Sequence, residues 1–128
     1  MTLAAVEAIV EALGQLLDAP ARLLPTFGHN EDYARPEVRV DAAGYHFVVI
    51  ERGQELQHQV VQQVEELLFM VFEAVTFSMA CNYELTHRVG GQDSRILLFA
   101  KQEELLARLD SGFAARQRTR HQQLLAKL

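Results

Sequence analysis

Five histidines and one cysteine are the first residues to test for chemistry in this 128-residue chain. His29, His46, His58, His87 and His121 include no His-Glu-x-x-His and no His-x3-His pair, the spacings that set two imidazoles on one helical face for a metal. Cys81 lies six residues before His87, and six residues advance a helix by about 600°, which points the two side chains apart. His46 and His58 read instead as sheet residues, and His121 as part of an exposed helical face. Nucleophilic catalysis finds no Gly-x-Ser-x-Gly elbow, and Cys81 falls in an apolar helix where a thiol is expected to be buried and inert. Gly90-Gly91 lacks the lysine and strand context of a phosphate loop. Glu51 and Glu55 form a carboxylate pair with no cleft to serve, and a solvated or salt-bridged role suits them better than acid–base work. These residues predict a protein that is not an enzyme, with no catalytic residue, no metal and no cofactor.

Charge is more informative. Seventeen acids against twelve bases give a net charge of -5, a balance that argues against a nucleic-acid-binding domain, whose affinity comes from cations meeting phosphates. The charge is also uneven: residues 108–128 carry +4 and residues 1–107 carry -9. The C-terminal cations Arg108, Arg116, Arg118, Arg120 and Lys127 lack interleaved aromatics, so they read as neutralising carboxylates within the fold rather than as an RNA or membrane contact. The acidic remainder suits capture of a basic protein partner. Two groups of acids on loops and turns could meet it: Glu31, Asp32, Glu37 and Asp41, with only Arg35 and Arg39 as internal partners, and Glu51 with Glu55. Glu66, Glu73 and Glu84 fall within roughly 20° of one another around a helix. They read either as its solvent stripe or, for Glu73, as a half-buried carboxylate needing an arginine such as Arg52 or Arg95.

The elements that position these residues follow from periodicity. Leu3, Val6, Val10, Leu13 and Leu17 recur at helical spacing with Glu7, Glu11, Gln15 and Asp18 opposite, and Pro20 stops that helix. Residues 20–36 hold all three prolines and read as an ordered loop. Val38 and Val40 alternate with Glu37, Arg39 and Asp41. After the turn Asp41-Ala42-Ala43-Gly44, residues 45–51 are apolar on both faces and predict a central strand. Arg52-Gly53 turns the chain into a third strand near Glu55–Gln59. From Val60 the period becomes helical. Val64, Leu67, Leu68, Val71, Val75 and Met79 continue the stripe, and Phe69, Met70, Phe72 and Phe77 wrap it nearly all round, so the segment is expected to be a buried helix. Asp93 or Ser94 caps the next helix, whose inward face is Leu98, Phe99, Gln102, Leu105, Leu106 and Leu109, with Glu104–Arg108 paired outside. Ser111 can cap the last helix, which carries Phe113, Leu124, Leu125 and Leu128. The order predicts an α+β fold: an N-terminal helix, a three-stranded antiparallel meander, a long buried helix and two C-terminal helices.

Length and an apolar content of 49% fit one domain over residues 1–128 that builds a core unaided. A single cysteine permits no internal disulfide, which suits a reducing cytoplasm. The first residues carry Glu7 and Glu11 within their apolar part, unlike a secretory leader. The fifteen residues from Leu67 to Cys81, interrupted by Glu73, Thr76 and Ser78, are too few and too polar to span a membrane.

Four pieces of sequence, in order and spacing, carry a resemblance. They are Gly44-Tyr45-His46; Glu51-Arg52-Gly53; Val75-Thr76-Phe77-Ser78-Met79-Ala80; and Arg95-x3-Phe99-x2-Gln102-x2-Leu105-Leu106. From about Leu24 onward the chain resembles a bacterial polymorphic-toxin immunity family, the one numbered sixty-three. Phe113 stands where that family's pattern expects tryptophan, which keeps an aromatic anchor. The resemblance implies a cytoplasmic protein that binds and neutralises a cognate toxin and has no catalytic residues, and the free protein is expected to be a monomer. Tyr45, Glu51, Arg52, Gly53 and Arg95 are the matched positions, as scaffold or as toxin contacts. The other binder of this size and charge is an acidic secretion chaperone for a translocated effector, which would dimerise and expose apolar grooves.

Overall fold

A computed structural model describes residues 1–127. It is α+β, with four α-helices and a four-stranded sheet, and it divides into two compact units, residues 1–71 and 72–128.

The first unit opens with helix α1 (Leu3–Leu16), capped by Thr2, whose hydroxyl accepts from the Ala5 amide at 3.1 Å. Val6, Val10 and Leu17 are buried as their spacing requires. The helix ends before Pro20 is reached, because Asp18 adopts a left-handed conformation with φ 52°. A 3-10 turn (Ala21–Leu23) leads into strand β1 (Thr26–Phe27), which pairs in parallel with β2 (Glu37–Asp41). This short strand lies inside the segment expected to be a loop. Its two residues are too few to show a period, and it is held by Thr26 N donating to Pro36 O and Gly28 N donating to Val38 O at 2.9 and 3.0 Å.

Strands β2, β3 (Gly44–Glu51) and β4 (Gln54–Val61) form the expected antiparallel meander, and the sheet order is β1-β2-β3-β4. Strand β3 is central and carries the buried residues His46, Phe47 and Val48. Gly44 cannot be replaced freely: its φ is 133°, and a Cβ there would lie 2.7 Å from the Val61 carbonyl oxygen. Arg52 and Gly53 have φ of 52° and 74°, the left-handed pair that a two-residue hairpin turn demands. Such a turn pairs strands of equal length, so β4 runs eight residues back along β3. Val60 is therefore a strand residue and does not begin the helix.

Helix α2 (Val64–Thr86) begins in the first unit and continues into the second. Leu67, Phe69, Val71, Phe72, Val75 and Ala80 are buried, but Phe77 and Leu85 are exposed, so the apolar wrap does not mean burial on every side. In the second unit, α3 (Ser94–Ala107) packs against α4 (Ser111–Ala126). Asp93 caps α3 by accepting from the Arg95 amide. Asp110, rather than Ser111, caps α4, accepting from the Gly112 and Phe113 amides at 2.7 and 3.2 Å. Asp110 takes the extended conformation of a cap, and Ser111 is already the first helical residue.

The buried face of α4 is Ala114, Gln117 and His121. Of the apolar residues expected on this helix, Leu124 and Leu125 are exposed, Phe113 is half-buried, and Leu128 lies outside the described residues. Among the described residues no helix is long and apolar enough to cross a membrane.

Candidate functional site

The candidate acids Asp32, Glu37, Asp41, Glu51 and Glu55 fall into three places along the sheet, while Glu7, Glu11, Asp18, Glu65 and Glu66 lie on or beside the helices of the unit. At the β3–β4 turn, Glu51 and Glu55 are exposed. The same turn gathers part of the preceding loop: Tyr33 bridges Glu51, Ala34 N donates to Ile50 O at 3.0 Å, and Gly53 N donates to Asp32 Oδ1 at 2.8 Å. The chain thus brings Asp32 to the turn that bears Glu51, joining residues nineteen apart at one place. Glu31 is instead paired at 3.1 Å with Arg35, whose guanidinium also donates to the Leu24 and Ala21 carbonyls. Glu31 lines a groove with Glu7 and Glu11, and Tyr33 stands 83% exposed.

Asp41 sits apart, at the β2–β3 turn. Its Oδ1 lies 2.8 Å from His46 Nε2, and His46 Nδ1 lies 2.8 Å from His58 Nε2. His58 Nδ1 is in turn 3.1 Å from Glu55 Oε1. The bond to His46, with that from the Ala43 amide, holds the Asp41 carboxyl below its ordinary value. The expected sheet positions of both histidines hold.

Glu37 must be withdrawn from the surface. It is 2% exposed and its carboxylate accepts from Arg39 Nε and Nη2 at 2.9 and 3.1 Å, which holds the guanidinium above its ordinary value. The alternation of Glu37 with Val38 suggested an outward acid, but the strand is buried on both faces at this end.

Of the motif positions, Arg52 and Gly53 form the turn. Tyr45 is half-buried in β3 opposite Val40 and Val61. Arg95 clasps the capping Asp93 through Nε and Nη2, the latter at 2.8 Å, an arrangement that lowers the Asp93 carboxyl. Arg95 thus serves its own helix start and does not neutralise Glu73.

The acids of the second unit are answered from within it. Glu73 is paired with Arg120, Glu84 with Arg88 at 3.2 Å and Glu104 with Arg108 at 2.7 Å. Glu103 accepts from Arg118 at 3.1 Å and faces His121 Nδ1 at 2.7 Å. The expected internal role of the C-terminal arginines is the one the geometry displays for Arg108, Arg118 and Arg120. Glu84 is 5% exposed, so the three-glutamate stripe is not uniformly solvated.

His121 overturns its expected exposure. It is 2% exposed, stacked on Phe99 with ring centroids 3.8 Å apart, and within 3.0 and 3.1 Å of Gln102 Oε1 and Gln117 Nε2. Gln102, fully buried, donates to Glu73 O and the Thr76 hydroxyl. The i, i+4 spacing of Gln117 and His121, matched to Gln102 and Glu103 on the neighbouring helix, was the available sign of a polar interior seam.

A cavity of about 280 Å³ opens beside this seam, lined by Phe77, Leu124 and the Glu73–Arg120 pair among others. Cys81 is half-buried rather than buried, and burial with the nearby Glu84 pushes its thiol up. Among the described residues no group of three or more histidine, cysteine, aspartate or glutamate side chains is arranged to hold a metal.

Compared with known protein families, residues 41–123 match the family described as Immunity protein 63. No curated protein and no solved structure gives a significant match.

Proposed function

Because the chain belongs to the Immunity protein 63 family, we propose that it binds a cognate bacterial protein toxin in the cytoplasm and blocks it without chemistry of its own. Family membership carries this reading, and charge gives the partner its character. The first unit holds eleven acids and four bases, a net of -7, with Glu51 and Glu55 exposed at the β3–β4 turn and Asp32 bonded to the same turn. A basic toxin would be steered to that surface over several ångströms of solvent, mainly through a faster on-rate. The partner is a protein, with neither nucleic acid nor membrane as a target. The free protein is a monomer of one folded domain, whereas a secretion chaperone would run as a dimer on a sizing column.

The test is co-expression with each toxin-like domain found in the reading frames neighbouring this chain's gene. Growth restored by the chain, with the two proteins purifying together and separating more readily at high salt, is the expected result. Killing that continues with both proteins present and soluble would overturn it.

A further inference from the structure

The two edges of the sheet differ in a way that points to where a partner attaches. One edge is β1, two residues long and too short to accept another strand. The other is β4, eight residues long, of which all but Val61 are exposed. Natural edge strands are usually blunted by proline, by lysine, by a covering element or by a bulge. β4 contains no proline, lysine or arginine. It has one irregularity near the turn: Ile50 pairs with Glu55 and Val49 with Gln57, leaving Leu56 as the extra residue. Beyond it, Gln57–Val61 runs in register with Tyr45–Val49 as a regular, bare edge.

The direction of its backbone groups follows from the ladder. Val38 O accepts from Gly28 N, so Val38 bonds outward to β1 and its partner Phe47 bonds the other way, to β4. Antiparallel pairs alternate between bonded and non-bonded. Phe47–Gln59 is therefore a bonded pair, and the neighbouring His58 and Val60 turn their N–H and C=O groups away from the sheet.

We propose that this edge receives an extended strand of the cognate toxin, added beside β4 along Gln57–Val61 with basic side chains toward the Glu51 and Glu55 end. The inference rests on the immunity reading above. Main-chain bonds at His58 and Val60 supply attachment, and the acids at the turn fix which end of the strand lies where. Charge selects a basic toxin strand over a second copy of the chain, since self-pairing would set two units of -7 against each other.

Residue-resolved amide exchange tests it in the intact protein, with toxin that the chain has been shown to neutralise. In the free protein the His58 and Val60 amides should exchange rapidly and the Gln59 amide slowly. In the complex, the first two should slow at least tenfold. Val60→Pro removes an outward donor at a position edge strands tolerate and should weaken binding at least tenfold with an unchanged melting temperature. If that variant misfolds, the exchange experiment on the unaltered chain still decides. Neutralisation with unchanged exchange at His58 and Val60 overturns strand addition and leaves the immunity reading standing. Protection that instead grows with the concentration of the chain alone makes the occupant a second copy and overturns the toxin strand. Absence of any complex and of any rescue overturns both readings.

Discussion

The two units differ in how arginines answer their acids: in the first, Glu31 and Glu37 are paired with Arg35 and Arg39. The first has a net of -7 and leaves Asp32, Asp41, Glu51 and Glu55 facing solvent, backbone amides or histidines; the second has eight bases against six acids, a net of +2. In the second, Arg88, Arg108, Arg118 and Arg120 each meet a glutamate of the same unit. A carboxylate held by an arginine adds little to the field seen by an approaching molecule, because the pair is nearly neutral at a distance of one Debye length, about 8 Å in physiological salt. The acidity available to a basic partner is thus concentrated on the sheet-bearing unit, although acids are spread along the whole sequence. Net charge alone would have concealed this, since Arg108, Arg118 and Arg120 of the tail are consumed locally.

If the comparison is right, where a new acid is placed should matter far more than that it is added. Val71 is 1% exposed and Leu56 is 58% exposed. Val71→Asp buries a carboxylate with no cation to receive it and should cost about 3–5 kcal/mol, enough to unfold a typical domain partly or wholly. Leu56→Asp adds an acid to a surface that already displays several and should change stability by less than about 0.5 kcal/mol. Chemical denaturation of the two variants checks the contrast, and equal midpoints would break the assignment of core and edge.

A second contrast sets one acid of each unit against the other. Glu103 faces His121 Nδ1, a ring nitrogen of a residue that is 2% exposed. Glu103→Ala leaves that group buried without its acceptor and should cost about 1–3 kcal/mol. Glu51→Ala removes an exposed side chain and should stay within about 0.5 kcal/mol, yet slow association with a basic toxin. Denaturation midpoints and association rates measured on both variants would separate a structural acid from a steering one. A destabilised Glu51→Ala would erase the distinction drawn between the units.

The same contrast explains what could be read before the fold was known. The α+β order, the central strand and the Glu104–Arg108 pair were legible because each rests on local periodicity or i, i+4 spacing. The positions of Glu37 and His121 were not. Alternation places Glu37 opposite Val38 on the strand but does not say that both faces are covered. His121 lies among arginines and glutamines, and only its match to Gln102 and Glu103, nineteen and eighteen residues earlier, makes it interior. The acidic surface was legible in composition but wrongly divided, since Asp41 belongs to the opposite hairpin turn from Asp32, which is fastened to Gly53 by a single hydrogen bond.

The smallest expected effect comes from an acid whose cations lie on its own helix. Glu104 accepts from Arg108 at 2.7 Å and lies 3.4 Å from Lys101, and the Arg108 bond, ahead of the lysine, holds its carboxyl below the ordinary value. Because the folded value is depressed, the stabilisation is present above the unfolded carboxylate range and disappears as pH falls through the folded one. The side chain is 54% exposed, so solvent screens most of the attraction, and Glu104→Ala should cost only about 0.3–0.5 kcal/mol at neutral pH. The cost should vanish in strong acid, where the carboxylate is protonated, and shrink at about 1 M salt, where the Debye length falls to about 3 Å. Thermal melts of the chain and the variant across pH and salt measure this. A loss above about 1.5 kcal/mol, or one that survives high salt, would mean that Glu104 is tied into the buried seam and that the helical unit's acids are less alike than their pairing suggests.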